Sequence, residues 1–275
     1  MLAALGAEAR SLGLHLAGHV PAGVAVTELA RHNFLTIEHA RDLLYDCSRY
    51  GPEFRRSSGA FLDGDRGAVR PAAETRMRRT INEFDPELCR GVLATLARNG
   101  TFYVPTHVTR EMDARATEAD YRSDPNRRYI SPARNAEWDR DLTETAAASP
   151  IVASLYDGFF HHGLKVTGMA HQAGVRIMAG SDANDTMISP GFSLHRELWL
   201  LTQAGLSAMD VLRTATTAPA AYLEKTDLLG GVSAGKEADL VLLNGNPLSD
   251  IRNTTSIAAV VVNGSLYNRM LWTCC

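Results

Sequence analysis

Four side chains that can bind metal ions follow four short apolar segments of the sequence. His19 ends "LHLAGH", His39 ends "FLTIEH", His107 lies just past "TFYVPT", and Asp182 ends "VRIMAGSD". If these segments are parallel strands of one β/α barrel, their carboxyl ends meet at one mouth, where active sites lie. Imidazole and carboxylate ligands together suit a borderline divalent cation such as zinc. A single histidine after a strand is more often structural, but the joint placement predicts a metal site.

Asp182 lies in the stretch "RIMAGSDAND", which begins as a buried strand and ends in two acids. An ionised carboxylate at the end of a buried strand must be hydrogen-bonded, paired or bound to a metal, because its isolated charge is very costly there. The alternatives to a metal ligand are a helix N-cap and a buried ion pair. Either alternative leaves His19 and His39 unexplained. Asp185 is expected to be a solvated loop or capping residue.

The elements around these residues follow a β/α rhythm, with apolar strands between helical segments. Helices are expected at Ala3–Leu12, Val24–His32, Glu87–Arg98, Ile151–Ala173, Leu194–Ala204 and Ala208–Thr214, the last capped by Ser207. Two polar, arginine-rich excursions interrupt the rhythm, at 48–86 and 110–150, with some helix near 72–84 in the first and a helical run after "YRSDPNRRYISP" in the second. Loops this long in a compact domain are more often functional than idle.

The residue pattern of the sequence changes at Leu229. The segments "GGVSAGKEADLVLLNGNPLSDI" and "IAAVVVNGSLYN" contain short apolar runs separated by Gly and Asn-Gly turns. This pattern is typical of a small β unit and differs from a further β/α repeat. We therefore expect an α/β chain of two parts, 1–228 and 229–270.

Composition argues against several classes of protein. The 275 residues include 28 basic and 31 acidic side chains, a formal net charge of -3, and no basic stripe with interleaved aromatics, so we expect no nucleic-acid partner. The sequence contains no run of eighteen or more apolar residues, so we expect no membrane span. The amino terminus lacks the basic region of a signal peptide and is expected to be an amphipathic helix. The four cysteines have neither zinc-site spacing nor a dense disulfide pattern.

An ordered set of motifs resembles a known family. The stretches "AGHVPAGVAVTELARHNFLTIEHA", "YVPT", "VRIMAGSDAN", "LHRELWLLTQAGLSAMDVLRTATTAPAAYL" and "LGGVSAGKEADLVLLNGNPLSDI" resemble, in this order, the carboxyl-terminal half of the metal-dependent amidohydrolases. The branch is that of the imidazolonepropionase-related and Xaa-dipeptidase-like enzymes. The resemblance covers nearly the whole chain except the two excursions and the last few residues. It implies the carboxyl-terminal half of a (β/α)8 TIM-type barrel over 1–228 and part of a small β-sandwich over 229–270.

The resemblance also implies a catalytic site with one or two divalent metal ions, with zinc expected. His19 and His39 match metal-ligand histidines of the family. Asp182 matches an aspartate that touches the metal and moves the proton of the attacking water. The implied reaction is hydrolysis of a C–N bond in an amide or cyclic amide. His107 stands where the family usually has an apolar residue, so it is a candidate substrate contact or simply lines the mouth.

One departure from the family concerns its other ligands. The family supplies an H-x-H motif and often a carboxylated lysine, but no H-x-H occurs in the 275 residues, and Lys165, Lys225 and Lys236 lie in the wrong segments. We first expect the chain to be part of a longer, complete enzyme. The alternatives are a half-barrel that assembles with a second copy or a partner chain, and a catalytically inactive fragment that only binds or scaffolds.

The implied substrate is a small molecule, such as a dipeptide, an N-acyl amino acid or a cyclic amide. Arginines in the two excursions could receive a carboxylate of such a substrate: Arg55, Arg56, Arg110, Arg127 and Arg128. The commoner role of arginines in long charged loops is simple solvation, and we favour it for this set.

Overall fold

Three short parallel strands lie at the centre of the protein. The structure, a computed structural model, describes residues 2–62 and 72–268. The strands are β1 (Thr36–Glu38), β2 (Phe102–Val104) and β3 (Arg176–Ile177), in the order β1-β2-β3. Thr36 lies opposite Phe102, which lies opposite Arg176, so the carboxyl ends of the three strands are level. Side chains that follow them therefore meet at one edge of the sheet.

The segment "LHLAGH" lies beside β1 but is not a regular strand. A single parallel bridge joins Leu16 to Phe34, with Leu16 N–H donating to Asn33 and Leu35 N–H donating to Leu16. The expectation of a full first strand is therefore wrong. Gly18 has φ 136°, which L-residues rarely adopt, and it ends the extended conformation just before His19.

Helices connect and cover the strands. In chain order they are α1 (Leu2–Ser11), α2 (Val26–Arg31), α3 (Ala40–Asp46), α4 (Gly51–Leu62), α5 (Ala73–Asn82), α6 (Pro86–Arg98), α7 (His107–Arg115), α8 (Ala119–Arg122), α9 (Pro132–Ala146), α10 (Pro150–Gln172), α11 (Phe192–Gln203), α12 (Ala208–Thr214) and α13 (Thr217–Tyr222). Short 3₁₀ helices span Pro125–Tyr129 and Ile251–Thr255. Each of the expected helices is present. The Ser207 hydroxyl accepts the Asp210 N–H, which confirms the expected cap of α12.

Both excursions are more helical than the sequence predicts. Residues 72–84 contain α5 as expected, but α4 precedes it and anchors Phe54, 4% exposed, in the core. The second excursion folds into α7, α8, a 3₁₀ helix and α9. Trp138 and Leu142 of α9 pack on Ala116 and Met187, which ties this excursion to the loop after β3.

The main core surrounds the sheet. Ile37 and Tyr103 of β1 and β2 are fully buried among Leu43 of α3, Leu93 of α6 and Val166 of α10. Helix α10 packs against α3, α5 and α7 and is the central helix of this layer. Burial of this apolar surface is the main stabilising contribution to such a fold. None of the helices in the described part of the chain is long and apolar enough to cross a bilayer.

A disulfide joins the units that carry β1 and β2. Cys47, directly after α3, is bonded to Cys89 in α6, and both side chains are fully buried. The two cysteines are 42 residues apart. At this separation their pairing has no local sequence pattern, so the sequence does not predict it.

The short strands expected after Leu229 form a separate antiparallel sheet. Its strands are β4 (Leu240–Leu243), β5 (Ile257–Val262) and β6 (Ser265–Asn268), in the order β4-β5-β6. Apolar side chains are exposed on both faces of this sheet, Val241 and Tyr267 on one and Leu242 and Leu266 on the other. The division into 1–228 and 229–270 stays a prediction.

Candidate metal centre

His19 and His39 meet at the carboxyl edge of the parallel sheet. Their Nε2 atoms are 2.7 Å apart, and their ring centroids are 4.7 Å apart. One imidazole donates a hydrogen bond to the other in this arrangement. Two imidazole nitrogens on one tetrahedral zinc ion lie roughly 3.3 Å apart, given Zn–N bonds of about 2.0–2.1 Å. A small opening of the pair therefore turns it into two ligands of one ion.

The neighbouring strand holds the His39 ring in place. His39 Nδ1 is 2.8 Å from Thr106 Oγ1, and its backbone N–H donates to the carbonyl of Val104 at the end of β2. Burial lowers the pKa of His39, and the charge of Arg41 lowers it further. A neutral imidazole with one nitrogen anchored by a hydrogen bond is the form that binds metal through the other nitrogen.

Asp182 completes the group of predicted ligands. Its Oδ2 is 3.9 Å from His39 Nε2, and the carboxylate is half exposed. It is not a helix N-cap, because α11 begins ten residues later and is preceded by Gly191. Gly180 brings Asp182 close to β2, since a Cβ atom there would lie 2.6 Å from Val104 Cγ1. The structure thus brings together His19, His39 and Asp182.

Three residues with left-handed backbones stand at the three strand ends. His39 follows β1 with φ 64°, Thr106 follows β2 with φ 47°, and Asp182 follows β3 with φ 55°. This conformation is uncommon outside glycine and costs free energy for a β-branched residue in particular. Such costs persist where the surrounding structure enforces them, and they cluster at functional sites.

The structure adds Glu38 as a fourth candidate ligand. Within the described chain, His19, Glu38 and His39 each offer a ligand atom, and these atoms lie within 4.8 Å of one another. Consecutive residues in a regular strand point to opposite faces, so the sequence alone predicts that Glu38 and His39 diverge. The left-handed backbone of His39 breaks this alternation and brings both side chains to one place. The adjacent acid and imidazole in "IEH" are the only signal in the sequence.

A cavity of about 190 Å³ opens over these ligands. Its lining combines His19, His39, Asp182 and Asp185 with Thr109, Arg41 and Arg110. A larger cavity of about 380 Å³ lies between α7 and α11, but it contains none of the predicted ligands. Size alone therefore does not mark the site; the convergence of imidazole and carboxylate does.

His107 does not line the cavity. Its side chain is fully buried as the first residue of α7, and its Nε2 is 2.9 Å from Thr167 Oγ1. Burial lowers its pKa to about 3, so the ring is neutral. The ring packs against Thr167 of α10 and not at the mouth, and contact of His107 with substrate stays a prediction.

Of the five arginines considered as carboxylate ligands, only Arg110 reaches the cavity. Arg55 is 5% exposed and pairs with Asp42 and Asp46 below the sheet edge. Arg127 pairs with Asp139, the guanidinium of Arg128 lies over Tyr129, and Arg56 is exposed on α4. Arg41, on the first turn of α3, lines the cavity but was missed, because a charge on a helix gives no sign of where it points.

The family model described as the amidohydrolase family matches residues 1–267 of this chain. The chain belongs to the amidohydrolase family. This confirms the resemblance of the sequence motifs to the amidohydrolases. No curated protein matches the chain in sequence.

Solved amidohydrolase structures share the fold. A Xaa-Pro dipeptidase with bound methionine is similar over 97% of this chain and 48% of its own, with a TM-score of 0.59 and 21% identity. A bottromycin amidohydrolase is similar over 96% of this chain and 52% of its own, with a TM-score of 0.68 and 21% identity. A putative prolidase from Bifidobacterium longum has a TM-score of 0.55 and 22% identity, over 97% of this chain and 50% of its own. The chain spans about half the length of these structures, consistent with a partial TIM barrel.

Proposed function

We propose that this chain carries part of the catalytic site of a metal-dependent hydrolase that cleaves C–N bonds in amides or cyclic amides. The observation that carries the proposal is the meeting of His19 Nε2 and His39 Nε2, 2.7 Å apart, with Asp182 Oδ2 3.9 Å from His39. His19 follows the single bridge at Leu16, His39 follows β1 and Asp182 follows β3. Membership of the amidohydrolase family supports the same chemistry.

The proposal includes a finer description of the fold. The segment before His19 and strands β1, β2 and β3 correspond to strands five to eight of a (β/α)8 barrel, and the sheet β4-β5-β6 is part of a small β-sandwich. The parallel order of the strands and the position of the ligands at their carboxyl ends support this assignment. So do solved structures of which the chain covers about half.

The donor set fits a divalent cation, and zinc is the proposed ion. His19 and His39 offer neutral imidazoles, and Asp182 and Glu38 offer carboxylates, which are the ligand types of catalytic zinc sites. Iron, manganese and cobalt accept the same ligands. When bound, the cation supplies a lowered pKa for a coordinated water and polarisation of the substrate carbonyl.

Asp182 is the proposed general base. Its carboxylate is half exposed at the cavity and within reach of a water that approaches His39. It takes the proton of the attacking water and then donates this proton to the leaving nitrogen, so it acts first as a base and then as an acid. Thr106 keeps the His39 ring oriented while this happens. The products are a carboxylate and an amine.

The proposed substrates are small molecules: dipeptides, N-acyl amino acids or cyclic amides. Two of the similar structures are a Xaa-Pro dipeptidase with bound methionine and a prolidase complexed with N-methylphosphonate-L-proline. This supports the dipeptide class for the present chain.

A second candidate function is assembly without activity of the isolated chain. Within the described residues, the outer edge of β3 and the segment around Leu16 have no further strand beside them. Open edges and apolar sheet faces favour pairing with another chain. The catalytically inactive alternative is therefore a half-barrel that forms a homo-oligomer or binds a partner chain.

Elemental analysis of the purified chain tests the proposal, with the oligomeric state measured on the same sample. The expected result is about one equivalent of transition metal, lost in a His19→Ala, Asp182→Ala double variant but kept in His161→Ala. His161 is a matched control, because it is an exposed histidine on α10 that does not line the cavity. Metal binding should be followed by hydrolysis of dipeptides or N-acyl amino acids. A chain that binds no metal and forms stable oligomers favours the second candidate instead.

A further inference from the structure

Glu197 is a fully buried acid in the second turn of α11. Within the described part of the chain, no cation contributes to the surroundings of its carboxyl group. A buried acid without a cation is costly, and an apolar side chain of similar size would fill the same space at a lower cost. The hydrogen bonds that Glu197 accepts therefore indicate what this residue does.

These hydrogen bonds come from the beginning of α7. Glu197 Oε2 accepts the N–H of Val108 at 3.0 Å, and the carboxyl group also accepts a hydrogen bond from the backbone of His107. The N–H groups of His107 and Val108 are the first two of the helix, and such groups have no partner inside the helix itself. Val108 and Glu197 are 89 residues apart, so a distant helix caps α7.

Thr106 occupies the N-cap position of α7 but does not cap it. A threonine at this position normally accepts an N–H of the first turn through its hydroxyl group. The Thr106 side chain makes no such bond, and its Oγ1 lies 2.8 Å from His39 Nδ1 instead. Glu197 thus supplies the cap that Thr106 does not supply. This leaves the Thr106 hydroxyl free for the imidazole of His39.

The backbone of Thr106 also depends on its surroundings. Its φ of 47° is unfavourable for a β-branched residue and persists only where neighbouring contacts enforce it. The next two residues are held from two sides: Glu197 of α11 binds their N–H groups, and Thr167 Oγ1 of α10 lies 2.9 Å from His107 Nε2. Loss of the Glu197 contact would therefore let Thr106 relax and move its hydroxyl away from His39.

We propose that Glu197 is a positioning residue for His39: it fixes the beginning of α7, which in turn holds the Thr106 hydroxyl against His39 Nδ1. The inference rests on the proposed function, because His39 is a ligand of the proposed metal ion. Glu197 does not line the cavity over the ligands. It therefore acts on metal binding only through Thr106 and His39.

Two substitutions separate the hydrogen bonds of Glu197 from its volume. Glu197→Met keeps an unbranched side chain but offers no oxygen, and it should weaken zinc binding about tenfold, at the low end of the effect of groups that orient a ligand. Glu197→Gln keeps a carbonyl oxygen and should bind zinc within about threefold of the unmodified protein. Burial raises the pKa of Glu197 to about 8, so the carboxyl group is largely neutral near pH 7 and glutamine is a close substitute. Competition of the full chain with a chelator of known affinity measures both.

A cycle with Thr106→Ala tests the route from Glu197 to the metal. If Glu197 acts through the Thr106 hydroxyl, Glu197→Met should weaken zinc binding less than about twofold further in the Thr106→Ala protein. A full tenfold loss in that protein as well would overturn the proposed route, because the two residues would then act independently.

Glu111→Met is the control for the loss of a buried acid. Glu111 also lies between α7 and α11, but its carboxylate pairs with Arg115 and Arg196 and not with the beginning of α7. Its removal should destabilise the protein and leave zinc affinity within about threefold. Equal losses of affinity in Glu111→Met and Glu197→Met would overturn the positioning role.

Glu197→Asp covers the case in which Glu197→Met does not fold. It keeps the acid but withdraws the carboxyl group by one methylene from the N–H of Val108. Zinc binding should again be weaker than in Glu197→Gln. A Glu197→Asp protein that folds and binds zinc as tightly as Glu197→Gln would contradict the inference.

The ring nitrogens of His39 report its orientation without any metal. Their ¹⁵N chemical shifts in the metal-free full chain, assigned by the loss of signals in His39→Gln, show which nitrogen carries the proton. Glu197→Met should move these shifts towards their values in Thr106→Ala, whereas Glu197→Gln should leave them unchanged. Unchanged shifts in Glu197→Met would overturn the positioning role.

The two readouts separate this inference from the proposed function. If the unmodified chain binds no zinc but the shifts change as expected, the positioning of His39 is supported and the hydrolase is contradicted. If the chain binds zinc and Glu197→Met binds it equally well, the positioning role is overturned and the hydrolase stands.

Discussion

The imidazole of His39 and the hydroxyl of Thr106 are joined by a hydrogen bond of 2.8 Å between Nδ1 and Oγ1, across two neighbouring strand ends. Both residues have left-handed backbones. The bond leaves His39 Nε2 directed towards His19. The orientation of a proposed metal ligand thus depends on a residue from a different strand.

Removal of the Thr106 hydroxyl should weaken metal binding. Thr106→Ala frees the His39 ring, and partners of this kind typically contribute 10–100-fold to metal affinity, so we expect a loss of about this size. Thr106→Ser keeps the hydroxyl and should bind metal within about threefold of the unmodified protein. Competition with a chelator of known affinity measures both. Equal affinities of the two variants would show that the hydroxyl does not orient the ligand.

Asp182→Asn should abolish turnover without unfolding the site. Asparagine tolerates the left-handed backbone at φ 55°, so the fold should persist, whereas alanine would add strain. An amide cannot accept the proton, and general acid–base catalysis typically contributes 10²–10⁴-fold, so kcat should fall by about this factor. The assay is the hydrolysis identified in the substrate screen.

Asp185→Asn is the matched control for Asp182→Asn. Asp185 lines the same cavity, and its Oδ1 accepts the N–H of Thr186, a bond that the asparagine carbonyl can keep. The kcat of Asp185→Asn should stay within about threefold of that of the unmodified protein, because no proton transfer is assigned to Asp185. A comparable loss of kcat in both variants would contradict the assignment of proton transfer to Asp182, because the loss of any negative charge near the cavity would then explain the result.

Arg55→Met should destabilise the protein strongly. The Arg55 side chain is 6% exposed and donates to Asp46 Oδ1 at 3.0 Å and to Asp42 Oδ1 at 3.2 Å. Its removal leaves buried Asp46 without a cation and leaves Asp42 with only Arg41, 3.5 Å away, which typically costs about 3–5 kcal/mol. Arg56→Met, at the exposed neighbouring position, should cost less than about 0.5 kcal/mol. Urea denaturation measures both, and similar midpoints would contradict the prediction.

Glu197→Gln should stabilise the protein more at pH 8 than at pH 5. Burial raises the pKa of Glu197 to about 8, and the N–H groups of His107 and Val108 offset this only in part. In the unfolded chain the carboxyl releases its proton near pH 4.5. Between these values the folded state binds more protons, so its stability falls as the pH rises. Glutamine does not titrate, so the variant does not lose stability in this way as the pH rises.

The measurement is the difference in Tm between Glu197→Gln and the unmodified protein at pH 5 and pH 8. One kcal/mol corresponds to about 2–4 °C for a chain of this size, and we expect the difference to grow by at least that much. Glu87→Gln, on an exposed first turn, should show no such growth. A constant difference for Glu197→Gln would mean that this carboxyl titrates normally in the folded protein.

The sequence predicts the ligands at strand ends better than the surroundings of the site. His39 and Asp182 follow the apolar runs that form β1 and β3, whereas the run before His19 forms only a single bridge beside β1; the three side chains nevertheless line one cavity. Glu38 is not predicted, because the alternation of side chains along a strand places it on the face opposite to His39. Only the backbone conformation of His39 brings the two side chains together. Arg41 is not predicted, because its position at the cavity depends on how α3 packs. The helix α4 escapes because "GPEFRRSSGAFL" contains few apolar residues.

The pairing of Cys47 with Cys89 has a consequence for the order in which the chain folds. Without it, contact between Glu38 of β1 and its partner Val104 of β2 closes a loop of 66 residues. With it, the path runs nine residues from Glu38 to Cys47 and fifteen from Cys89 to Val104. The shorter path lowers the entropy cost of closure by about 1 kcal/mol. In the oxidised chain the covalent path between β1 and β2 is short. The contact between His39 and Thr106 therefore changes from a long-range contact that forms late in folding to a local contact that forms early.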